Sequence, residues 1–385
     1  MPASPTPISF AAVAGARPSG PRAGTAAAAV ASPPRSAQGL SNEVGALNCF
    51  LNSVVQGMWH LRSFRDALSA APSPHSREPT PAEAAAGRGA TAARDAGVTL
   101  ALRRLFDTLS TAASAPPGAS APPASPAELR AALGAAAPSA SAVGEMGDAA
   151  EALQMLLDAL HAAEAGRGKD ADADAAASVA RSCFGWRLAE GSACGECGRT
   201  TRGDGFTSLL LTAPAAALAA GGKGVPPEEP LRRALAPGAR RCAAEDGGCG
   251  AAQAPGALWL RTEDTGDNAQ PMPPVLTLVL GWESAAAPPA DVAAALDALS
   301  PSLRPGRLFG AGGAPAGGAG EVRYALRALL CFHGAHYAAF VRAAGQPAWR
   351  LVNDAAVRPA GAWADVRAAC ARQHLQPCVC FYERE

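Results

Sequence analysis

The feature that most constrains this chain is an alternation between segments of ordinary globular texture and long runs of alanine, proline and glycine. Residues 1–38, 70–97 and 112–143 are largely of the second kind, and side chains this small or stiff bury little apolar area. With Gly 41 and Pro 34 among 385 residues, the 49% hydrophobic content overstates the core. Once the biased stretches are set aside, about 270 residues remain to build one. We therefore expect one domain over 39–385, interrupted by surface insertions and preceded by a disordered Ala/Pro/Ser-rich arm over 1–38. That arm carries Arg17, Arg22 and Arg35, and residues 1–42 contain no acidic residue, which also suits an organelle transit peptide. Its scattered prolines break any amphipathic helix and favour the disordered arm.

Charge and cysteine usage narrow the class of protein. Lys+Arg 33 balance Asp+Glu 33, and no basic stripe with interleaved aromatics occurs, so neither nucleic acid nor a membrane surface is an expected partner. No run approaches the roughly 18 consecutive apolar residues of a membrane helix. Ten cysteines with no signal peptide suggest metal ligands, a reactive thiol and small core residues rather than disulfides. We expect a reducing, intracellular compartment, cytoplasmic or nuclear.

The hydrophobic period changes along the chain. Leu100, Leu102, Leu105, Phe106 and Leu109 predict a helix over 98–111, and a shorter one is expected at 126–133. Residues 147–165 place Leu153, Leu156, Leu157 and Leu160 along one face, with Asp148 at the N-cap. After Ser178 the texture becomes strand-like, at 206–212, 275–282, 324–331, 337–341, 349–352 and 378–382. Helices followed by mostly antiparallel strands read as α+β.

Three constellations carry chemistry. Residues 39–61, GLSNEVGALNCFLNSVVQGMWHL, deliver Cys49 to the start of a helix, whose unpaired N–H groups lower a thiol's pKa and can hold an oxyanion. Near the C-terminus, YALRALLCFHGAHYAAFVR offers His333 and His336 as bases. Strands over 336–342 and 348–354 joined by AAGQP would pair antiparallel. Arg342 opposite Pro347 brings His336 against Asn353; Arg342 opposite Ala348 brings it against Asp354. The third constellation is Cys194-Gly-Glu-Cys197 with the looser pair Cys242 and Cys249, glycine-flanked knuckles suited to a structural zinc ribbon.

Together these segments resemble the ubiquitin-specific protease family. Cys49, Phe50, Leu51, Asn52, Ser53 and Gln56 match its Cys box, and His336-Tyr337 with 338–341 matches its G-H-Y-x-x-Y/F box, Ala335 replacing Gly. The run 349–352 before Asn353 matches W-x-x-F/V, and Asp148–His161 is similar to D-A-x-E-x-L-x-x-L-L-D-x-L-H. The strings NEVG and MWHLRSFRDAL, with Gly281-Trp282, are similar to a divergent branch that includes plant ubiquitin carboxyl-terminal hydrolase-related proteins, some regarded as inactive.

The resemblance implies a papain-like cysteine peptidase fold with a helical thumb over 39–178, fingers at about 190–255 and a β-rich palm over 256–385. It makes Cys49 the nucleophile, His336 the base and Asn353 its orienter, with Asp354 the second choice. Asn42 or Asn48 would hold the oxyanion, because the family places its oxyanion Asn between these two spacings. It implies Zn2+ on Cys194, Cys197, Cys242 and Cys249, no cofactor for catalysis, and ubiquitin and ubiquitinated proteins as partners. The implied activity is hydrolysis after ubiquitin's C-terminal Gly; the alternative is a weak or inactive ubiquitin-binding pseudoenzyme.

Overall fold

The computed structural model describes residues 38–74, 88–116, 122–136, 145–164, 178–219, 225–236, 241–252, 258–262, 272–309 and 322–385. Apart from Gln38, the arm expected over 1–38 lies outside the described residues. The first half is helical: α1 (Cys49–Trp59), α2 (Arg62–Ala70), α3 (Arg88–Ser114), α4 (Ala127–Ala136), α5 (Ala149–Glu164) and α6 (Val179–Phe184).

Asp148 caps α5, as its spacing predicts: Oδ1 accepts from the N–H groups of Ala150 at 2.7 Å and Glu151 at 3.0 Å. Leu153, Leu156, Leu157 and Leu160 are fully buried, and burial of each contributes about 1.5–3 kcal/mol. α3 begins at Arg88, inside the loop expected over 70–97. Its first turns are alanine-rich and free of proline, so helix propensity carries the helix through a segment whose low complexity reads as loop.

The second half forms two sheets. β1 (Trp186–Ala193), β2 (Thr200–Ser208) and β4 (Leu258–Thr262) make a three-stranded sheet in the order β2-β1-β4. β3 (Leu211–Pro214), β5 (Val275–Gly281), β7 (Tyr324–His333), β8 (His336–Val341), β9 (Trp349–Asn353), β10 (Ala356–Gly361) and β11 (Gln376–Arg384) run β10-β9-β8-β7-β11-β5-β3, and β6 (Ser302–Leu303) pairs β7. Four helices accompany them: α7 (Ala215–Ala219), α8 (Glu228–Leu235), α9 (Pro289–Ala298) and α10 (Trp363–Gln373).

The expected strand over 206–212 is divided, since β2 ends at Ser208 and β3 begins at Leu211 in the other sheet. Ser208 Oγ donates to the Leu210 carbonyl at 2.5 Å across the bend. β3 also pairs β5 in parallel, an exception to the antiparallel pattern.

The large sheet is covered on both faces. Along β11, Val379 and Phe381 pack with the helices of the first half, while Cys380 and Tyr382 pack with Trp186, Phe309 and Tyr324. Strands buried on both faces read as near-continuous apolar runs, which is how 324–331 and 378–382 look in sequence. α2 is fastened to this sheet by Glu383, whose Oε1 accepts from Ser63 N–H and Oγ at 2.7 Å each while Oε2 pairs with Arg327 Nε at 3.3 Å. Among the described residues no helix is long and apolar enough to cross a membrane.

α1 lies between α5 and the β7–β8 part of the sheet, and all 11 of its residues are buried. Gly57 permits this contact: a Cβ there would stand 2.9 Å from Phe381 and 3.0 Å from Leu330. Alanine is favoured over glycine within a helix by about 1 kcal/mol, whereas overpacking costs about 1–3 kcal/mol. We expect Gly57→Ala to be destabilising by about 1 kcal/mol on balance and to lower the urea midpoint, with Gly57→Val lowering it further. A midpoint unchanged in both variants would mean that the Phe381 ring yields freely.

Candidate active site

Cys49 is the first residue of α1 and is 2% exposed. The chain reaches it through a constrained loop. Gly39 passes so close to Ala355 that a Cβ would meet its backbone carbonyl, and Leu40 N–H donates to the Asp354 carbonyl at 3.0 Å. Residues Glu43 to Ala46 then form a turn closed by Ala46 N–H to Glu43 carbonyl at 2.9 Å, with Gly45 at φ 83° supplying the left-handed position of a type II turn. Leu47 also adopts positive φ, at 50°, a conformation costing a residue with a Cβ about 1–2 kcal/mol. The following residue is held by Asn42, whose Oδ1 accepts from Asn48 N–H at 2.9 Å.

Opposite the thiol, a two-residue turn with Gly334 at φ 62° joins β7 to β8 and sets His333 across from His336. His333 turns away, its Nδ1 lying 3.1 Å from the His374 carbonyl. His336 Nε2 lies 2.5 Å from Asn353 Oδ1, which leaves Nδ1 for the thiol. The hydrogen bond with Cys49 is the largest influence on the imidazole, raising its pKa to about 9 against the opposing effect of burial; Asn353 adds to the rise.

The register that brings His336 and Asn353 together differs from both expectations. Val341 pairs with Arg350, so the hairpin closes at least one residue beyond the nearer predicted register, and the described ladder ends at Ala339 and Val352. His336 and Asn353 are thus diagonal neighbours on one face, a separation that long side chains span. Asp354 occupies the next position, with φ 49°. Its Oδ2 accepts from Asn42 Nδ2 at 2.9 Å and its Oδ1 from Asn52 Nδ2 at 2.8 Å. The carboxylate considered as second choice for the imidazole therefore ties the loop before Cys49 to α1. Asn48 is 6% exposed beside Cys49, and its Oδ1 has no protein partner.

Two contacts here are missing from the sequence reading. Tyr337 Oη donates to Asp148 Oδ2 at 2.9 Å, joining the residue after His336 to the cap of α5. The Arg130 guanidinium lies over the Phe50 ring at 4.6 Å, and its Nη2 donates to the Glu145 carbonyl at 2.7 Å. A Cβ at Gly147 would stand 2.8 Å from that same ring. The signal for the first was legible, a tyrosine adjoining the histidine and an N-cap carboxylate with an oxygen to spare. The second follows only from packing.

The four cysteines converge away from this site. Cys194 Sγ and Cys249 Sγ are 3.6 Å apart, Cys197 Sγ and Cys242 Sγ 3.7 Å, and all four sulfurs lie within 4.8 Å of one another. Each pair sits on a glycine knuckle: Gly198 N–H donates to the Cys194 carbonyl at 3.0 Å, and Gly250 N–H to the Cys242 carbonyl at 2.8 Å, with both glycines at positive φ. Backbone N–H groups of Cys197 and Glu196 lower the Cys194 thiol to about 7. Four sulfurs around an ion at about 2.3 Å would stand about 3.8 Å apart. The two short pairs match that spacing, and the four sulfurs together could hold a metal ion. Of the other thiols, Cys183, Cys331, Cys370 and Cys380 are buried, and Cys378 is half-buried.

A histidine held above its ordinary value favours the native state while protonated. That contribution is present below about 6.5 and is lost as pH rises through about 9. We expect the His336 ring resonances to titrate near 9 and the midpoint to fall in Cys49→Ala, because the largest raising influence is removed. An unmoved midpoint in that variant would assign the rise to another group.

Comparison with known proteins gives the family and the fold. A family model described as ubiquitin carboxyl-terminal hydrolase matches residues 38–382. A Mus musculus protein named ubiquitin carboxyl-terminal hydrolase 54 is 27% identical over 360 residues, covering 90% of this chain and 20% of that protein. The chain thus spans about a fifth of that relative's length. Among solved structures, a SAGA DUB module containing Ubp8, Sgf11, Sus1 and Sgf73 bound to monoubiquitin shares the fold, with TM-score 0.55 and 14% identity over 90% of this chain and 69% of that chain.

Proposed function

The chain belongs to the ubiquitin carboxyl-terminal hydrolase family, and from that premise we propose that it is a cysteine-type deubiquitinase cleaving the peptide or isopeptide bond after ubiquitin's C-terminal Gly. The observation that carries this reading is the contact of His336 Nε2 with Asn353 Oδ1 at 2.5 Å, with the thiol of Cys49 as the chief influence on the same ring. In the proposed mechanism His336 takes the Cys49 proton, giving a thiolate–imidazolium pair. The thiolate attacks the glycyl carbonyl carbon, and the oxygen gains negative charge. The imidazolium proton passes to the leaving amine as the C–N bond breaks, and water, deprotonated by His336, hydrolyses the resulting thioester.

Asn353 fixes the ring through its carboxamide oxygen, a neutral partner being sufficient for a thiolate–imidazolium pair. Asp354 holds the loop through both carboxylate oxygens, and its charge also favours the protonated ring. For the oxyanion we favour Asn48 together with the N-terminus of α1, because Asn42 already accepts from Asn48 N–H and donates to Asp354. The division into thumb, fingers and palm follows the same reading. The helices between 39 and 178 form the thumb, the sheet containing β1 and β2 with the cysteine cluster forms the fingers, and the large sheet forms the palm. We propose one structural Zn2+ on Cys194, Cys197, Cys242 and Cys249, and ubiquitin and ubiquitinated proteins as partners.

A second reading, a ubiquitin-binding protein of weak activity, is favoured by two observations: Asn42 is drawn to Asp354, and Leu47 is held at positive φ two residues before the thiol. Incubation with a ubiquitin C-terminal electrophile under reducing conditions separates the two. A covalent adduct in the wild type that is lost in Cys49→Ala supports the hydrolase, and stoichiometric ubiquitin binding without adduct supports the second reading. For the metal, we expect close to one zinc per chain by elemental analysis, and a lowered thermal midpoint after chelation that added Zn2+ restores. Zinc content near zero in protein purified without chelator would reject it.

A further inference from the structure

At the opposite end of α1 from Cys49 lies a cavity of about 480 Å3. It is bounded by the last turn of α1, the first turn of α2, the C-terminal turns of α3 and the turn after β8, with Arg350 of β9 in its wall. Three guanidinium groups, Arg62, Arg65 and Arg350, line it, and none of the described lining residues is acidic. The nearest carboxylate along α2, Asp66, meets Arg62 at 3.4 Å, with both side chains more than half exposed, so it neutralises little. Arg65 donates through Nη1 to the Trp59 carbonyl at 2.9 Å and lies over the Trp59 ring at 5.0 Å. A guanidinium has five N–H donors, so one such bond leaves most of the fork for a ligand. His60 adds no charge: burial, and then Arg65 and Arg350, hold its pKa down to about 4.

We propose that this cavity is a binding site for a small phosphoryl-bearing anion. Guanidinium forks recognise phosphoryl oxygens in pairs, and positive groups gathered with no carboxylate among the described lining residues set a field that a dianion relieves. Ser110 Oγ accepts from Trp59 Nε1 at 3.2 Å, and a hydroxyl that accepts still has its own proton to donate. The volume exceeds what inorganic phosphate fills and admits a second phosphoryl group or an organic body. The site is independent of the proposed hydrolase activity. It nevertheless joins the far ends of the three elements that carry Cys49, His336 and Asn353, about 16 Å from the thiol along α1.

Inorganic pyrophosphate is the probe, titrated into the full chain by calorimetry with ionic strength matched by NaCl. We expect saturable one-to-one binding in the wild type and affinity weakened about tenfold in Arg350→Gln. A second variant needs no arginine removed: Ala344→Glu places a carboxylate at the exposed rim and is expected to abolish pyrophosphate binding while keeping the native thermal midpoint. Binding that vanishes at matched ionic strength overturns the proposal. So does affinity unchanged in both variants.

Discussion

α1 is buried on every side, and much of the site follows from satisfying the amide N–H donors of Asn52 and Gln56. Asn52, Ser53 and Gln56 are each less than 5% exposed, and a buried polar group without a partner costs about 1–3 kcal/mol. Gln56 Nε2 therefore reaches the Gln38 carbonyl at 2.8 Å, and Asn52 Nδ2 donates to the Ser41 carbonyl at 3.2 Å as well as to Asp354. These bonds position both the loop before Cys49 and the turn after β9. The thiol's surroundings are consequently fixed by the same interactions that let the helix enter the core.

Asn353 and Asp354 divide the work at the end of β9. Asn353 is the last residue of the strand and meets the imidazole, while Asp354 begins the left-handed turn beyond it and reaches Asn42 and Asn52. Both Asp354 oxygens and its carbonyl are engaged with the segment 40–52. These contacts hold a residue at φ 49°, a region that Asp tolerates better than most side chains. Two adjacent polar residues that look interchangeable in sequence thus make different hydrogen bonds, one to the ring and the other to the loop, with the Asp354 charge also favouring the protonated ring.

What was legible in the sequence came from local chemistry. The Asp148 cap, the leucine face of α5, the α+β order of elements and the glycine knuckles beside the cysteines all depend on neighbours within a turn or two. The His336–Asn353 pairing was reached through a register that does not occur: the straight-across count failed because the strands close later, with Val341 opposite Arg350, and diagonal contact brought the same side chains together. The unread features depend on packing at a distance. β10 is an exposed edge strand containing Pro359, so neither apolar alternation nor strand propensity marks it. The start of α3 was hidden because alanine-rich composition is compatible with loop and helix alike.

The candidate site lies where the helices meet the large sheet, within one shared apolar core. Cys49 comes with the helices, whereas His336 and Asn353 come with the sheet, and apolar packing, the bond from Leu40 N–H to the Asp354 carbonyl and side-chain ties fix one against the other. Tyr337 to Asp148 and Asp354 to Asn42 and Asn52 are the side-chain ties made by residues next to His336 and Asn353. A hydrogen bond weakens steeply outside its distance and angle limits, so a small shift of α1 against β8 would release His336 from Cys49. The raised pKa of His336 thus reports on how the two parts dock as well as on the ring's neighbours.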